Sequence, residues 1–289
     1  MLPGIDTSHY SNINLQQLQA MVKEKGLYFN YLKASEGATI KDPAFTRLWS
    51  MSRSAGLLCG AYHFFRPLSD VGQQVTNFVT QYKKVSRTGV LPPVMDLEWS
   101  VANRQEQWAQ VPAARRIPVL KMFLSGVESE LKCKPMIYTA PSFWNQYIAP
   151  QTNATDIAYF AEHPLWVVDL RHTGRLPAPW KAATFVQNHF GENATTNDPY
   201  DHTDQDFFPG DIKSLLNTAL PGLSFMKNFP FSPMVIDLQK QLKAAGYLED
   251  EPDGYFGENT EQAVKDFQTA NALFANGIVD AQTWNKLWT

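Results

Sequence analysis

The 289 residues are 44% apolar and 18% charged. That suits a packed core in one large domain plus a small one, or in two of ordinary size, and excludes a globally disordered chain. A net charge of -3 without a long basic run argues against nucleic acid as the main partner, and no segment reaches about 18 uninterrupted apolar residues, so no membrane span is expected.

In chain order, short apolar runs alternate with amphipathic stretches. GIDTSHY from residue 4 reads as a strand ending at Asp6, and Leu15, Leu18, Met21 and Val22 follow at helical spacing. LYFNYLKA (27–34) is a second strand with a helix from Pro43. GLLCGAYHFF (56–65) is a third, with a helix through Val71, Val75, Phe78, Val79 and Tyr82. VLPPVMDLEW is the fourth, followed by a helix opening near Pro112, and KPMIYTA (134–140) the fifth, followed by a short helix around Phe143 to Tyr147. PLWVVDL (164–170), ATFVQNHF (183–190) and TDQDFF (203–208) come next with little room for helices.

Repeated strand and helix units predict an α/β fold, a TIM-like parallel barrel of five regular units with an irregular last part. In such barrels chemistry sits where strands end. This rule gathers Asp6, His63, Asp96 with Glu98, Tyr138 and Asp169 around one opening. Asp96 and Glu98 carry the strongest signal. Two apart in a strand, they share a face with about 6.6 Å of rise between them, and like charges so placed raise at least one pKa. His9 and His63 lack zinc spacing and read as hydrogen-bonded residues at the barrel mouth. Tyr62, Tyr138 and Trp166 suit either a core or a sugar-stacking surface. Without a Gly-x-Ser-x-Gly elbow or a phosphate-cradling loop, what remains is carboxylate chemistry suited to cleaving a glycosidic bond, with neither metal nor cofactor expected. Cys59 and Cys133 neither demand nor exclude a disulfide.

PGLSFMKNFPFSP (221–233) breaks the helical period with three prolines and reads as a linker apolar enough to pack on its neighbours. Beyond it, VIDLQKQLKAAGYL, Thr260 to Ala270 and Ala281 to Trp288 predict a small all-α three-helix domain. The expected division is a catalytic barrel over 1–220, a linker over 221–232 and the helical domain over 233–289.

GIDTSHY, YLKASEG (31–37), AGLLCGAYHFF (55–65), PPVMDLEW and KPMIYTAPSFW (134–144) stand in the order and spacing of glycoside hydrolase family 25, the Chalaropsis-type lysozymes, and PLWVVDL and TDQDFF extend the resemblance over roughly residues 3–210. The resemblance implies a modified barrel of five strand–helix units plus three further strands. It implies cleavage of the β-1,4 bond between N-acetylmuramic acid and N-acetylglucosamine in peptidoglycan. Carried across by motif, Glu98 is the general acid, Asp96 its partner, and Asp6 and Asp204 the further acids. Tyr62, His63, Tyr138, Trp166, Gln187 and Lys33 are the candidate substrate-binding residues. Three departures stand out. Asp206 occupies a place where Asn is usual, leaving Asp204 and Asp206 open to a swap of roles, and Val186 and Leu170 replace common aromatics, which would remove stacking surfaces.

DGYFGENT (253–260), AVKDFQ and GIVDAQTW resemble the peptidoglycan-binding domain type 1 family, implying attachment to the cell wall. The rival readings are a metal-dependent peptidoglycan amidase or peptidase and an inactive wall-binding protein. MLPGIDTSHY has no basic and no apolar signal region, so the expectation is a monomer made in the host cytoplasm without a signal peptide and acting on the wall after release, as a phage or prophage endolysin does.

Overall fold

Residues 1–85, 88–102, 104–191, 196–219, 222 and 224–288 are described by the computed structural model. Its strands are β1 (Leu2–Thr7), β2 (Phe29–Glu36), β3 (Ile40–Lys41), β4 (Leu58–Phe64), β5 (Val94–Asp96), β6 (Val101–Ala102), β7 (Gln105–Glu106), β8 (Met136–Thr139), β9 (Leu165–Val168), β10 (Phe185–His189) and β11 (Asp204–Phe208). The helices are α1 (Leu15–Lys25), α2 (Phe45–Ser54), α3 (Val71–Tyr82), α4 (Ala113–Leu131), α5 (Pro141–Tyr147), α6 (Ala154–Ala161), α7 (Ile212–Thr218), α8 (Pro233–Ala244), α9 (Glu258–Ala270) and α10 (Ala281–Leu287).

β1, β2, β4, β5, β8, β9, β10 and β11 form a closed eight-stranded barrel, because β11 pairs with both β10 and β1. The pairings from β1 round to β10 are parallel, whereas β11 is antiparallel to both neighbours. Five strand–helix units, β1α1, β2α2, β4α3, β5α4 and β8α5, are followed by three strands that complete the wall. Helix α6 was not foreseen. It starts at a capping box in which the Asp156 amide donates to Asn153 Oδ1 at 3.0 Å and the Asn153 amide donates to Asp156 Oδ2 at 3.1 Å.

Alternation along each strand sorts side chains between two cores. Leu32, Cys59, Ala61, Met95, Leu97, Ile137 and Val167 point outward and pack with Phe78, Phe123 and Leu124 of α3 and α4. Phe29, Tyr31, Leu58, Val94, Met136, Trp166, Phe185 and Phe208 point inward. Two glycines let the inner rings lie across the barrel: a Cβ on Gly60 would meet the Tyr31 ring at 2.0 Å, and one on Gly4 the Phe29 ring at 2.4 Å. The rings form a floor, and each large side chain so buried contributes roughly 2–3 kcal/mol. Below it the barrel is apolar; above it polar groups collect.

The inner cluster continues without a break into the helices α8 to α10, through Met234, Val235, Leu238, Val264, Phe267 and Trp284. The linker packs as its composition predicts, with Phe225 buried and paired to Val279, while the expected boundary at 220/221 lies outside the described residues. Ser232 Oγ donates to the Gly56 carbonyl at 2.9 Å, and Tyr28 Oη donates to Asp237 Oδ2 at 2.7 Å. Burial, together with the Asp237 contact, pushes the Tyr28 hydroxyl pKa up beyond the range in which it would ionise in use. The helical unit is thus docked on the base of the barrel, opposite the polar half. Tyr28→Phe removes the hydroxyl and leaves Asp237 half-buried without it, so stability should fall by about 1–2 kcal/mol in urea unfolding; an unchanged midpoint would show that the contact carries no load.

Candidate active site

The polar half opens at the C-terminal ends of the parallel strands. Because β11 runs the other way, its first residue, Asp204, reaches this opening, and the register sets it directly across from Asp6. Asp206 is paired with Gly4, one inward position deeper. Geometry therefore puts Asp204 at the cleft and Asp206, at 2% exposure, in the floor.

A cleft of about 970 Å³ is lined by Asp6, Tyr62, Glu98, Tyr138 and Asp204, with Tyr10, Asn12, Phe190 and His202 from the loops around it. Beneath it a pocket of about 60 Å³ adds Asp96, Trp166 and Gln187 to the same acids and tyrosines. Glu98 borders both spaces, whereas Asp96 borders only the deeper one. Both carboxyls follow Val94 at intervals of two, which is why both enter the barrel while Met95 and Leu97 pack outside.

A clamp holds the opposite wall. Tyr138 Oη donates to Gln187 Oε1 at 2.6 Å, and Gln187 Nε2 donates to Asp6 Oδ2 at 2.7 Å and to Asp204 Oδ2 at 3.4 Å. The Gly191 amide donates to Asp204 Oδ1 at 2.8 Å. On the other side Trp108 Nε1 donates to the Glu98 carbonyl at 3.0 Å, fixing the turn that carries Glu98. Burial, and then repulsion from Glu98, hold the Asp96 carboxyl well above the ordinary aspartate range, with Lys33 and Arg66 acting against them. Burial, Asp204 and Asp206 do the same to Asp6, opposed by the Gln187 hydrogen bond. The site therefore keeps protons on carboxyls at a pH where free ones would be ionised, the condition for general acid catalysis.

The family model for glycosyl hydrolases family 25 matches residues 5–199. The chain belongs to this family. A peptidoglycan binding domain model matches residues 232–287. Uncharacterized protein YegX of Escherichia coli (strain K12) is 32% identical over 166 residues, 57% of this chain and 54% of that protein. The N,O-diacetylmuramidase of Chalaropsis sp is 27% identical over 193 residues, 64% of this chain and 86% of that enzyme. The crystal structure of the bacterial lysozyme from Streptomyces coelicolor is similar with a TM-score of 0.60 and 26% identity, over 75% of this chain and 96% of that one. The chain spans about half the length of the E. coli relative. The family 25 match ends before β11, so the placement of Asp204 and Asp206 rests on the geometry above.

In this family 25 barrel several expectations need correction. His63 does not line the mouth. Tyr62 points inward, so its neighbour must point outward, and His63 lies fully buried against Phe123, with ring centroids 5.0 Å apart. Its Nε2 bonds Gln74 Oε1 at 3.1 Å, an acceptor, leaving Nδ1 to accept from the Ser35 hydroxyl at 2.8 Å. Asp169 also turns away from the opening, accepting from the Thr173 and Gly174 amides at 2.9 and 2.8 Å to tie its own loop. Lys33 is inward but not in the cavity wall, because its ammonium is bound to Glu36 at 2.6 Å. Trp166 forms floor, at 2% exposure, and gives its N–H to Asp206 Oδ1 at 2.9 Å. Gln187 is a buried clamp. Val186 packs against the outer cluster, so the loss of an aromatic there removes nothing from the cleft. His9 turns to Asp42 at 2.7 Å, and both cysteines are free thiols.

The residues that sequence reasoning missed lie mostly in loops. Tyr10, Asn12, Phe190 and His202 have no periodicity to reveal them; the exposed aromatic in SHYSNIN was the one available hint. Burial lowers the His63 pKa to about 4. The folded state then binds fewer protons than the unfolded one between that value and the ordinary histidine value. Stability from this residue is complete above the unfolded pKa and lost as pH falls through the folded one, on the order of 3 kcal/mol. The difference in urea stability between the wild type and His63→Gln should therefore shrink from pH 7 to pH 4. Parallel curves would mean that His63 takes up its proton as readily in the fold as in the unfolded chain.

Proposed function

We propose that the chain is a cell-wall lytic muramidase hydrolysing the β-1,4 bond between N-acetylmuramic acid and N-acetylglucosamine in peptidoglycan. The observation that carries this reading is the placing of Glu98 between cleft and inner pocket, with Asp96 beneath it and Asp6 and Asp204 across the opening, in a family 25 barrel. A cleft of about 970 Å³ has room for several sugar units rather than one.

Asp96 and Glu98 titrate as a pair, so the proton retained by burial and repulsion belongs to both. Glu98 is the member that reaches the cleft and hands this proton to the leaving oxygen. The bond from that oxygen to the anomeric carbon breaks, positive charge develops on the muramic ring, and Asp96, Asp6 and Asp204 supply the surrounding negative field. Water supplies the hydroxyl that ends on the anomeric carbon and returns a proton to the pair. Lys33 and Arg66, joined through Glu36, set how firmly that proton is held, since both act on Asp96.

The helices over 232–287 are the wall-binding part of this reading. Docked on the base of the barrel, they hold the cleft near its polymer and raise the local substrate concentration. On this reading the chain is a bacteriolytic enzyme of the endolysin type.

The test uses purified peptidoglycan and the full chain. The wild type should release new reducing ends on muramic acid, without new amino groups and with the same rate in chelator. Glu98→Gln should lower that rate by roughly a hundred- to a thousand-fold with the fold retained, while still sedimenting with insoluble walls. Wild-type activity in Glu98→Gln would remove Glu98 from the reaction, and freed amino groups abolished by chelator would replace the reading with a metal-dependent amidase.

A further inference from the structure

Asp206 is a carboxyl inside the barrel that the proposed reaction does not use. The register of β11 on β1 sets Asp206 across from Gly4, diagonal to Asp6 on the same inner face. Its Oδ1 accepts from Trp166 Nε1 at 2.9 Å. Its Oδ2 is sealed from solvent and receives no hydrogen bond from the described residues; the group that meets this carboxyl is the carboxyl of Asp6. Asp6 has its own N–H donor, Gln187 Nε2, at 2.7 Å. The titratable groups around the two are Asp204 on β11, Asp96 on β5 and the hydroxyls of Tyr31 on β2, Tyr62 on β4, Tyr138 on β8 and Tyr200 from the loop before β11. Among the described residues no lysine or arginine is a leading influence on either carboxyl.

Two buried carboxylates in contact, without a cation, cannot both ionise. A sealed carboxyl oxygen also needs a hydrogen-bond partner. A single proton held between the two groups meets both demands.

We propose that Asp206 is a positioning residue that shares one proton with Asp6, held between Asp206 Oδ2 and the Asp6 carboxyl so that the pair carries a single negative charge. Each partner has one neutral N–H donor and no cation, so the proton stays between the two carboxyls. Burial and then Asp204 raise the proton affinity of Asp206, opposed by the hydrogen bonds with Trp166 and Asp6. Asp6 is then gripped from two sides, by Gln187 and by Asp206, at the wall of the cleft. The proton is neither consumed nor released in turnover. The role of Asp6 in catalysis rests on the muramidase reading, but the shared proton does not.

Asp206→Asn is the test, because the amide can accept from Trp166 and donate to Asp6 yet has no proton to lose. The infrared carbonyl band of a buried protonated carboxyl should be present in the wild type at pH 7 and reduced by one group in Asp206→Asn. A carboxyl whose folded pKa is raised stabilises the fold below its unfolded pKa and loses that contribution as pH rises through the folded value. The thermal midpoint of the wild type should therefore fall relative to that of Asp206→Asn between pH 4 and pH 9. Release of reducing ends at neutral pH should stay within a few fold of wild type. An unchanged carbonyl band with parallel stability curves overturns the proposal. A well-folded Asp206→Asn whose activity falls by roughly a hundredfold also overturns it, since Asp206 would then act as an anion. If Asp206→Asn does not fold, Trp166→Phe takes its place: losing the N–H that favours the anion, it should keep the carbonyl band to higher pH than the wild type, and an unmoved band counts against the proposal. Should neither wild type nor variant release reducing ends, the muramidase reading fails while the infrared and stability comparison still decides the proton.

Discussion

The antiparallel seat of β11 between β10 and β1 is the constraint on which the site depends. Seven parallel strands deliver their last residues to the opening, and a closing strand in the same sense would have delivered Phe208 there. Reversed, β11 presents Asp204 to the cleft, lowers Asp206 into the floor and leaves Phe208 among the apolar rings below. The same pairing brings Gln187 of β10 beside Asp6 of β1, residues 181 positions apart in the chain. Without closure the two acids of β1 and β11 would face no partner, and the clamp through Tyr138 would have nothing to hold.

The second determinant is the division of the barrel by its floor. Tyr31 and Phe29 lie across glycines, and Trp166 sits between Tyr31 and Tyr138, with ring centroids 4.8 and 4.9 Å apart. These rings exclude water from beneath the carboxyls. Low dielectric then makes mutual repulsion large, and the molecule answers by keeping protons rather than by supplying matching cations. The cations that are present, Lys33 and Arg66, stand behind Asp96 and are tied to Glu36, so they temper the acid pair without neutralising it. The docked helices seal the lower end of the same apolar column. Binding unit and catalytic barrel thus share one core.

Much of this was legible from spacing. Five strand–helix units and the three-helix unit follow from apolar periodicity, the three further strands from the family resemblance, and Asp96 with Glu98 from the period of two. The same period, applied to Tyr62 and His63, would have shown that only one of the two can face the cleft. Asp169 was misplaced for a related reason: it follows the end of β9, where the chain leaves the sheet and a loop amide can capture a carboxylate. Helix α6 is short and capped by Asn153, a signal easily read as another loop asparagine.

Sequence alone therefore determined the alternation of strands and helices, the family resemblance and the acid pair on one strand, because each is written in residues near one another in the chain. Only the tertiary structure decided the direction of β11, and with it which of Asp204 and Asp206 meets the cleft. It also decided that Trp166 and Gln187 hold acids, and that Asp6 and Asp206 meet in the dark of the floor. Those facts depend on which strands become neighbours when the barrel closes, and no local pattern of side chains encodes that pairing.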